Sequence, residues 1–422
     1  MSELGPSPLV AGDLNLSVDA ARAAIAAALR PVQEVETIPL MQALGRVLAA
    51  DLASPIAVPA HDNSAMDGYA FDGAALQANA PAVFDCIGTA YAGAPWAGTV
   101  AAGQCLRIMT GAVMPAGCDT VVPQELSQAT GNRITVQPGV LRAGENRRKR
   151  GEDLAVGQPA LRAGRVLRPA DLGLVASLGI ASVTVRRRLR VALFSTGDEL
   201  RAPGAPLDAG CIYDSNRASL MAALQRLGVE IIDLGLVRDD PAALQATLES
   251  AVTQADVVLT SGGVSVGEAD HTRALLARMG EVAFWKVAMR PGRPFAFGPL
   301  HAAGRSSWLF ALPGNPVAAL VAYYVFARDG LLQLAGATPE PLPVLQARST
   351  AALRKRPGRT EFQRGRVSPA PGGGWQVAIT GAQGAGILRS MSEANALVVL
   401  GHDQGSVAAG EPVDVWLFDG LV

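Results

Sequence analysis

The sequence predicts a multidomain α/β-plus-β protein: a parallel-rich α/β segment in the middle, a small β domain inserted near the N-terminus, and a further β domain at the C-terminus. Three observations predict it. First, three apolar runs each end in a small glycine-bearing loop ahead of a helix pattern. They are Val191-Ala192-Leu193-Phe194 before Ser195-Thr196-Gly197-Asp198-Glu199, Val257-Val258-Leu259 before Thr260-Ser261-Gly262-Gly263-Val264-Ser265-Val266-Gly267-Glu268-Ala269-Asp270, and Trp308-Leu309-Phe310-Ala311 before Leu312-Pro313-Gly314-Asn315-Pro316. Short apolar runs bounded by glycine and alternating with helices read as parallel strands. Second, the texture changes to short β-type runs from about residue 80 to 150, and again beyond 340. Third, 422 residues exceed one ordinary core, and length alone gives about three domains.

In chain order, residues 17 to 30 carry a helical apolar pattern, with Ser17 placed to cap it and Pro31 to stop it. Val83-Phe84, Leu106-Arg107-Ile108-Met109, Thr120-Val121-Val122 and Arg133-Ile134-Thr135-Val136 read as strands of the inserted β domain, 56–150. The N-terminal region is then 1–55 and 151–187. Arg186-Arg187-Arg188 leads into the α/β segment, 188–335, and Pro339, Pro341 and Pro343 form a stiff connector to the last β domain, 340–422.

Composition narrows the function class. Nearly half the residues are apolar and the net charge is −1, which fits a soluble globular chain and gives no support for nucleic-acid binding. Cys86, Cys105, Cys118 and Cys211 form no CxxC pair and read as free thiols of a reducing cytoplasm. His61, His271, His301 and His402 lack zinc-type spacing. No secretory or membrane segment is expected: Glu3, Asp13 and Asp19 mark an acidic N-terminus. The longest apolar run, Val317 to Ala327, is about half a membrane span and reads as a core helix.

In an open parallel sheet, loops at the carboxyl ends of the strands share one edge and form the ligand crevice. Glycine lets backbone N–H groups approach an anion there, and a helix N-terminus favours negative charge. These loops also carry carboxylates. Ser261, Ser265, Glu268 and Asp270 fall in one loop that has no lysine, so it is not a Walker-type loop. Asp239 and Asp240 follow the strand-like Ile231-Ile232-Asp233-Leu234, although Asp240 before Pro241 reads equally well as a helix cap. Asp198 and Glu199 likewise read as ligands or as helix-start acids. Lys286, Arg290 and Arg293, set among Pro-Gly turns, read as an anion grip. At an effective dielectric near 20, like charges about 4 Å apart repel by roughly 4 kcal/mol, about a thousandfold in binding. Acids and a phosphate therefore share a crevice only with a divalent cation between them, and magnesium suits carboxylate, water and phosphate oxygens.

Three N-terminal clusters add hydrogen-bonding groups: His61-Asp62-Asn63-Ser64-Ala65-Met66-Asp67-Gly68-Tyr69-Ala70, Arg107-Ile108-Met109-Thr110-Gly111-Ala112, and Arg147-Arg148-Lys149-Arg150-Gly151-Glu152-Asp153. By composition alone the first is a turn-rich stretch and the last a solvated basic face.

Together these motifs resemble the MoeA-type molybdopterin molybdenumtransferases, related to the gephyrin E region. The resemblance runs through DNSAMDGYA at 62–70, RIMTGA at 107–112, RKRGED at 148–153, STGDEL at 195–200, SGGVSVGEAD at 261–270, RPGRPFAFG at 290–298 and LPGNPV at 312–317. It implies a molybdopterin-binding-like central domain, a barrel-like C-terminal domain, and a homodimer whose cleft is shared between subunits. The implied reaction takes molybdate and adenylylated molybdopterin, releases AMP with Mg2+, and leaves molybdenum on the dithiolene. A molybdopterin adenylyltransferase and acceptor molybdoenzymes are the implied partners, with no nucleic acid and no membrane. Carried over by position, Asp67, Thr110 and Asp153 come from one subunit. Glu199, Asp239, Asp270, Lys286 and Arg290 come from the other, the three acids serving Mg2+. Ser261, Gly262, Gly263, Ser265, Arg293, Pro313, Gly314, Asn315 and Pro316 line the substrate. Arginine stands at 290 and 293 where the family often has lysine, and Gln383-Gly384-Ala385 replaces a family Gln-Gly-Ser. Two other readings of the same residues are a non-catalytic pterin-binding scaffold and an enzyme that adenylylates molybdopterin.

Overall fold

The computed structural model describes residues 16–262 and 269–418, without the side chains of 269 and 270. Gly263, Ser265 and Glu268 of the second glycine loop lie outside the described residues, as do Glu3 and Asp13.

Helix α1 (Val18–Ala28) starts where the Ser17 hydroxyl accepts the Ala20 N–H at 3.1 Å, and it stops before Pro31. Its buried face, Val18, Ala21 and Ile25, joins the core of the central α/β domain, and Arg22 pairs with Asp329 there at 2.7 Å. The chain then forms two antiparallel pairs across a large sequence gap, Val35–Pro39 with Ser182–Arg186 and Leu52–Ala53 with Pro159–Leu161. Everything between those partners is inserted.

The insertion is a six-stranded sheet. Its strands are β1 (Gly68–Phe71), β2 (Ala82–Ala90), β3 (Gln104–Ile108), β4 (Thr120–Pro123), β5 (Ser127–Thr130) and β6 (Arg133–Val136), in the order β4-β1-β3-β2-β6-β5. Only β2 and β3 run parallel. Phe71 and Phe84 stack at 4.4 Å in its core. Helix α2 (Pro169–Ser177) follows. Its Asp171 accepts the Arg168 N–H at 2.9 Å and pairs with Arg165 at 2.8 Å.

The central domain carries strands β7 (Arg190–Thr196), β8 (Glu230–Val237), β9 (Val257–Ser261), β10 (Ala283–Lys286), β11 (Pro294–Ala302) and β12 (Arg305–Leu312). Their order is β8-β7-β9-β12-β11-β10; β11 runs antiparallel to both its neighbours, and the other five strands run in one direction. Helices α3 (Ser215–Leu227), α4 (Pro241–Gln254) and α5 (Ala269–Met279) fill the crossovers, and α6 (Pro316–Ala322) follows β12. Register matters more than strand count here. Ser195 stands opposite Ser261, and Ser261 opposite Leu312, so the three loops leave the sheet side by side.

One expectation needs correction. The first loop does not open a helix at Asp198 and Glu199. Residues 197–214 instead form a turn and two short paired strands, Leu200–Arg201 and Ile212–Tyr213, and α3 begins only at Ser215. Pro203 and Pro206 explain this, since each removes a helix donor and clashes with the preceding turn.

Helix α6 continues through a π turn, Tyr323–Ala327, to Leu334. The whole segment is long and apolar enough to cross a membrane by length and composition. It is packed inside the protein, however: Val317, Val321, Tyr323 and Phe326 are buried against β12 and α1. The C-terminal strands β13 (Leu345–Ser349), β14 (Thr360–Pro369), β15 (Trp375–Ile379), β16 (Ala396–Leu400) and β17 (Pro412–Leu417) close into a five-stranded barrel, β14 pairing with both β15 and β16.

Candidate functional site

The carboxyl edge of the parallel strands is lined with hydroxyls. Ser195 and Thr196 end β7, Thr260 and Ser261 end β9, and all four are nearly buried. Asn216, in the first turn of α3, binds the loops together: its Nδ2 donates to Ser261 Oγ at 2.7 Å and to the Gly314 carbonyl at 2.6 Å. Ser261 Oγ in turn donates to the Pro313 carbonyl at 3.3 Å. Gly262 sits at φ +95°, and a Cβ there would lie 2.4 Å from the Thr196 carbonyl oxygen, so only glycine fits. Asp214 caps α3 through the Arg217 N–H at 3.0 Å and accepts the Ser195 hydroxyl at 3.2 Å.

The exposed acids collect along the same edge. Thr196 Oγ1 donates to Asp239, and the Asp239 N–H donates to Asp198 Oδ1 at 3.3 Å. The Glu199 carboxylate lies over Gly197, with Oε2 only 2.7 Å from where a Cβ would stand. Asp240 caps α4 by accepting the Ala243 N–H at 2.8 Å, so the helix-cap reading explains it fully. Asp270 occupies the start of α5, and its side chain lies outside the described residues.

The cations come from the other side of the third loop. Lys286 ends β10, and Val287 N–H bonds to the Arg293 carbonyl at 2.8 Å, closing the turn that holds Arg290. Gly292, at φ +98°, packs that turn on α6, where a Cβ would lie 3.4 Å from the Ala318 carbonyl oxygen. Met289–Arg290 also pairs with Thr360–Glu361 of β14, so the grip is anchored on the barrel. Pro313 is buried while Gly314 and Asn315 are exposed, and Pro316 starts α6 without a side-chain cap from Asn315.

Three residues that build this edge escaped sequence reading: Asn216, Asp214 and Arg364. Arg364 is 1% exposed; its Nη2 donates to the Gly384 carbonyl at 3.0 Å and its Nε to Ser390 Oγ at 3.1 Å. Burial, with the Arg290 charge beside it, pushes its pKa down to about 10. It steadies the loop whose Ala385 carbonyl accepts the Val317 N–H of α6 at 3.0 Å. The barrel thus touches the third loop through a backbone carbonyl, which Ala385 supplies as well as serine would. An arginine at an inward strand position, in Phe362-Gln363-Arg364-Gly365, was the available signal.

The N-terminal motifs form a second cluster. Arg147–Arg148 pairs as a short strand with Asn63–Ser64, and Arg150 N–H donates to Asp62 Oδ1 at 2.7 Å. The basic run is therefore a structural partner of the first motif. Both the N–H and the hydroxyl of Thr110 donate to Asp67 Oδ1, each at 2.7 Å. The Thr110 N–H, then its hydroxyl, then the Arg107 charge hold the Asp67 carboxyl below its usual range. Asp153 N–H bonds to the Val58 carbonyl at 3.1 Å, and the residue is exposed. Among the described residues, the hydrogen bonds and ion pairs of these motifs stay within residues 58–153.

Fold and site together define a protein built around a molybdopterin-binding-type α/β domain. Family models match the MoeA N-terminal region (domain I and II) over residues 16–179, the probable molybdopterin binding domain over 192–333 and the MoeA C-terminal region (domain IV) over 346–418. A molybdopterin molybdenumtransferase of Haemophilus influenzae is 40% identical over 96% of this chain and all of its own length. Molybdopterin molybdenumtransferase 2 of Mycobacterium tuberculosis is 37% identical over 92% of this chain and 95% of its own. A solved molybdopterin biosynthesis MoeA protein from Pyrococcus horikoshii superposes with a TM-score of 0.82 at 26% identity, over 96% of this chain and all of that one. The chain belongs to the MoeA family.

Proposed function

We propose that this chain is a molybdopterin molybdenumtransferase: it takes adenylylated molybdopterin and molybdate, releases AMP, and leaves molybdenum on the pterin dithiolene. The observation that supports the reading is the register Ser195–Ser261–Leu312, which sets the ends of β7, β9 and β12 side by side, with the exposed Asp198 and Glu199 just beyond the first and Lys286 at the end of β10 in the same sheet. Exposed Gly314 and the turn holding Arg290 and Arg293 would receive the anionic ends of the substrates. Asn216 joins Ser261, at the end of β9, to Gly314 of the third loop, which favours a pre-set spacing between these two residues.

Mg2+ belongs to the same proposal. The donors at the edge, the Asp239 and Glu199 carboxylates and the Thr196 hydroxyl, are all hard oxygens, as a magnesium ion requires. Among the described residues no three His, Cys, Asp or Glu side chains form a ready cage. Magnesium commonly takes one or two carboxylates with water and substrate phosphate, so Asp239 and Glu199 suffice, with Asp270 as a third. When bound, the ion supplies the positive charge that lets phosphate and carboxylates share the edge. Cys86, Cys105 and Cys118 belong to the inserted β domain, and molybdenum would be held by the substrate's own sulfurs.

Among the described residues, Asp67, Thr110 and Asp153 make no hydrogen bond or ion pair with this edge, and we propose that they act on the edge of a second copy in a homodimer. An upstream molybdopterin adenylyltransferase and downstream molybdoenzymes are the corresponding partners. A cytoplasmic location is consistent with four free cysteines. Purified protein given adenylylated molybdopterin, molybdate and limiting Mg2+ should release AMP, and Asp239→Asn should not at that Mg2+ concentration. Undiminished turnover in that variant at limiting Mg2+, or no release by the parent protein, refutes the assignment.

A further inference from the structure

The inserted β domain holds a cysteine pair that the site above leaves unused. In the parallel register of β2 and β3, Cys86 stands directly opposite Cys105. Opposed residues of adjacent strands project to the same face, and both thiols sit in the core cluster around Phe71 and Phe84. Cys105 is fully buried and Cys86 half-buried, so Cys86 is the more accessible residue of the pair. Burial pushes the Cys105 thiol up, and the adjoining Cys86 sulfur, by charge and as a hydrogen-bond partner, pushes it further.

The pair lies at a break in the ladder. The next opposed residues are Thr89 and Arg107, so Ile87 and Gly88 bulge out of register. Cys86 Sγ donates to the Gly88 carbonyl at 3.5 Å, and the Trp96 ring covers Gly88 so closely that a Cβ would come within 2.6 Å of it. Beyond the bulge, β3 runs through Arg107 and Ile108 to Thr110, the residue that holds Asp67. Adjacent strands lie about 4.8 Å apart, inside the roughly 4.4–6.8 Å window that a disulfide spans but short of its usual 5.5–6 Å. A bond here is reachable, and it presses the strands apart by about 1 Å.

We propose that Cys86 and Cys105 form a redox-modification site, at which a peroxide-class oxidant drives a reversible cross-strand disulfide that displaces the strand carrying Thr110. Cys86 sulfur attacks the peroxide and breaks the O–O bond; one oxygen leaves as water and Cys86 becomes a sulfenic acid. Cys105, its buried thiol still protonated, passes that proton to the sulfenic oxygen as its sulfur attacks Cys86 sulfur, the S–O bond breaks and the second water leaves. Two thiols are oxidised and one peroxide is reduced to two waters. A dithiol reductant reverses the bond.

The test uses the full chain, treated with hydrogen peroxide, alkylated, and mapped by mass spectrometry without reduction. The expected product links the Cys86 and Cys105 peptides, with the loss of two hydrogens, and dithiothreitol abolishes it. Cys86→Ser should fold and turn over as the parent does and form no link. A link through Cys118 or Cys211, or Cys86 found only as sulfinic acid, overturns the pairing. The switch itself rests on the proposed function: linked protein should release AMP about tenfold more slowly, the scale of one disturbed hydrogen bond to a charged group, and recover on reduction. Linked protein with unchanged AMP release overturns the switch. Failure of the untreated protein to release AMP counts against the proposed function instead, because the mapping needs no turnover.

Discussion

Asp67 Oδ1 takes both donors of Thr110, the backbone N–H and the side-chain hydroxyl, at 2.7 Å each. Among the described residues the second oxygen, Oδ2, has no hydrogen bond, so one half of the carboxylate is fixed and the other half is free for a ligand. Thr110→Val keeps the N–H and deletes the hydroxyl. The folded Asp67 pKa is depressed, so its stabilisation is present above the unfolded value and is lost as pH falls through the folded one. In Thr110→Val that pKa moves up, and the acid limb of AMP release, if Asp67 sets it, moves to higher pH. AMP release should fall about tenfold at neutral pH, the scale of one hydrogen bond to a charge. A carboxyl-carbon NMR titration follows the shift; an unchanged Asp67 titration contradicts the prediction.

Among the described residues, Asn216 is the one side chain that donates to two of the three glycine-loop neighbourhoods, Ser261 and Gly314. Asn216→Ala leaves a nearly buried hydroxyl and a carbonyl short of a donor. The expected cost is about 1–3 kcal/mol in urea unfolding, with weaker substrate binding from loosened loops. Loss of stability with unchanged KM would mean that the clamp only supports the fold.

The central domain was legible because three apolar runs of strand length end in glycine, a pattern that parallel strands with both faces covered produce. The convergence of the loops followed from that topology. The stretch after Glu199 was misread because acids after a glycine resemble a helix start, while Pro203 and Pro206, a few residues on, forbid one. Arg147 to Arg150 read as a solvated face because nothing local shows that Arg147–Arg148 pairs with Asn63–Ser64 some eighty residues earlier. Barrel closure through β14 and β16, and the roles of Asn216 and Arg364, rest on contacts between segments far apart in sequence. No window of composition or periodicity contains such contacts.

Two glycines with similar backbone angles should respond very differently to alanine. Gly262 has φ +95° and a carbonyl 2.4 Å from the would-be Cβ, whereas Gly103 has φ +78° and open space around it. Gly103→Ala bears only the left-handed strain, about 1 kcal/mol. Gly262→Ala bears that strain and must also displace the Thr196 carbonyl, so its cost should exceed about 2 kcal/mol. Denaturant midpoints of the two variants decide it; equal losses would show that the Gly262 loop gives way freely.

The charge balance of the α/β edge is tested most directly by separating its acids from its cations. Asp239→Asn keeps the size of the side chain and an oxygen for the Thr196 hydroxyl, and removes only charge. A unit charge at about 4 Å is worth roughly 4 kcal/mol at an effective dielectric of 20, and solvent at this exposed edge reduces it. The half-saturating Mg2+ concentration should therefore rise by about tenfold or more, with residual turnover returning at high Mg2+. Arg290→Gln should leave that Mg2+ dependence in place and raise the molybdate concentration needed for turnover instead. If exhaustive chelation left AMP release by the parent protein untouched, acids and phosphate would be sharing the edge without a cation, and the assignment of Asp239 and Glu199 to Mg2+ would fail.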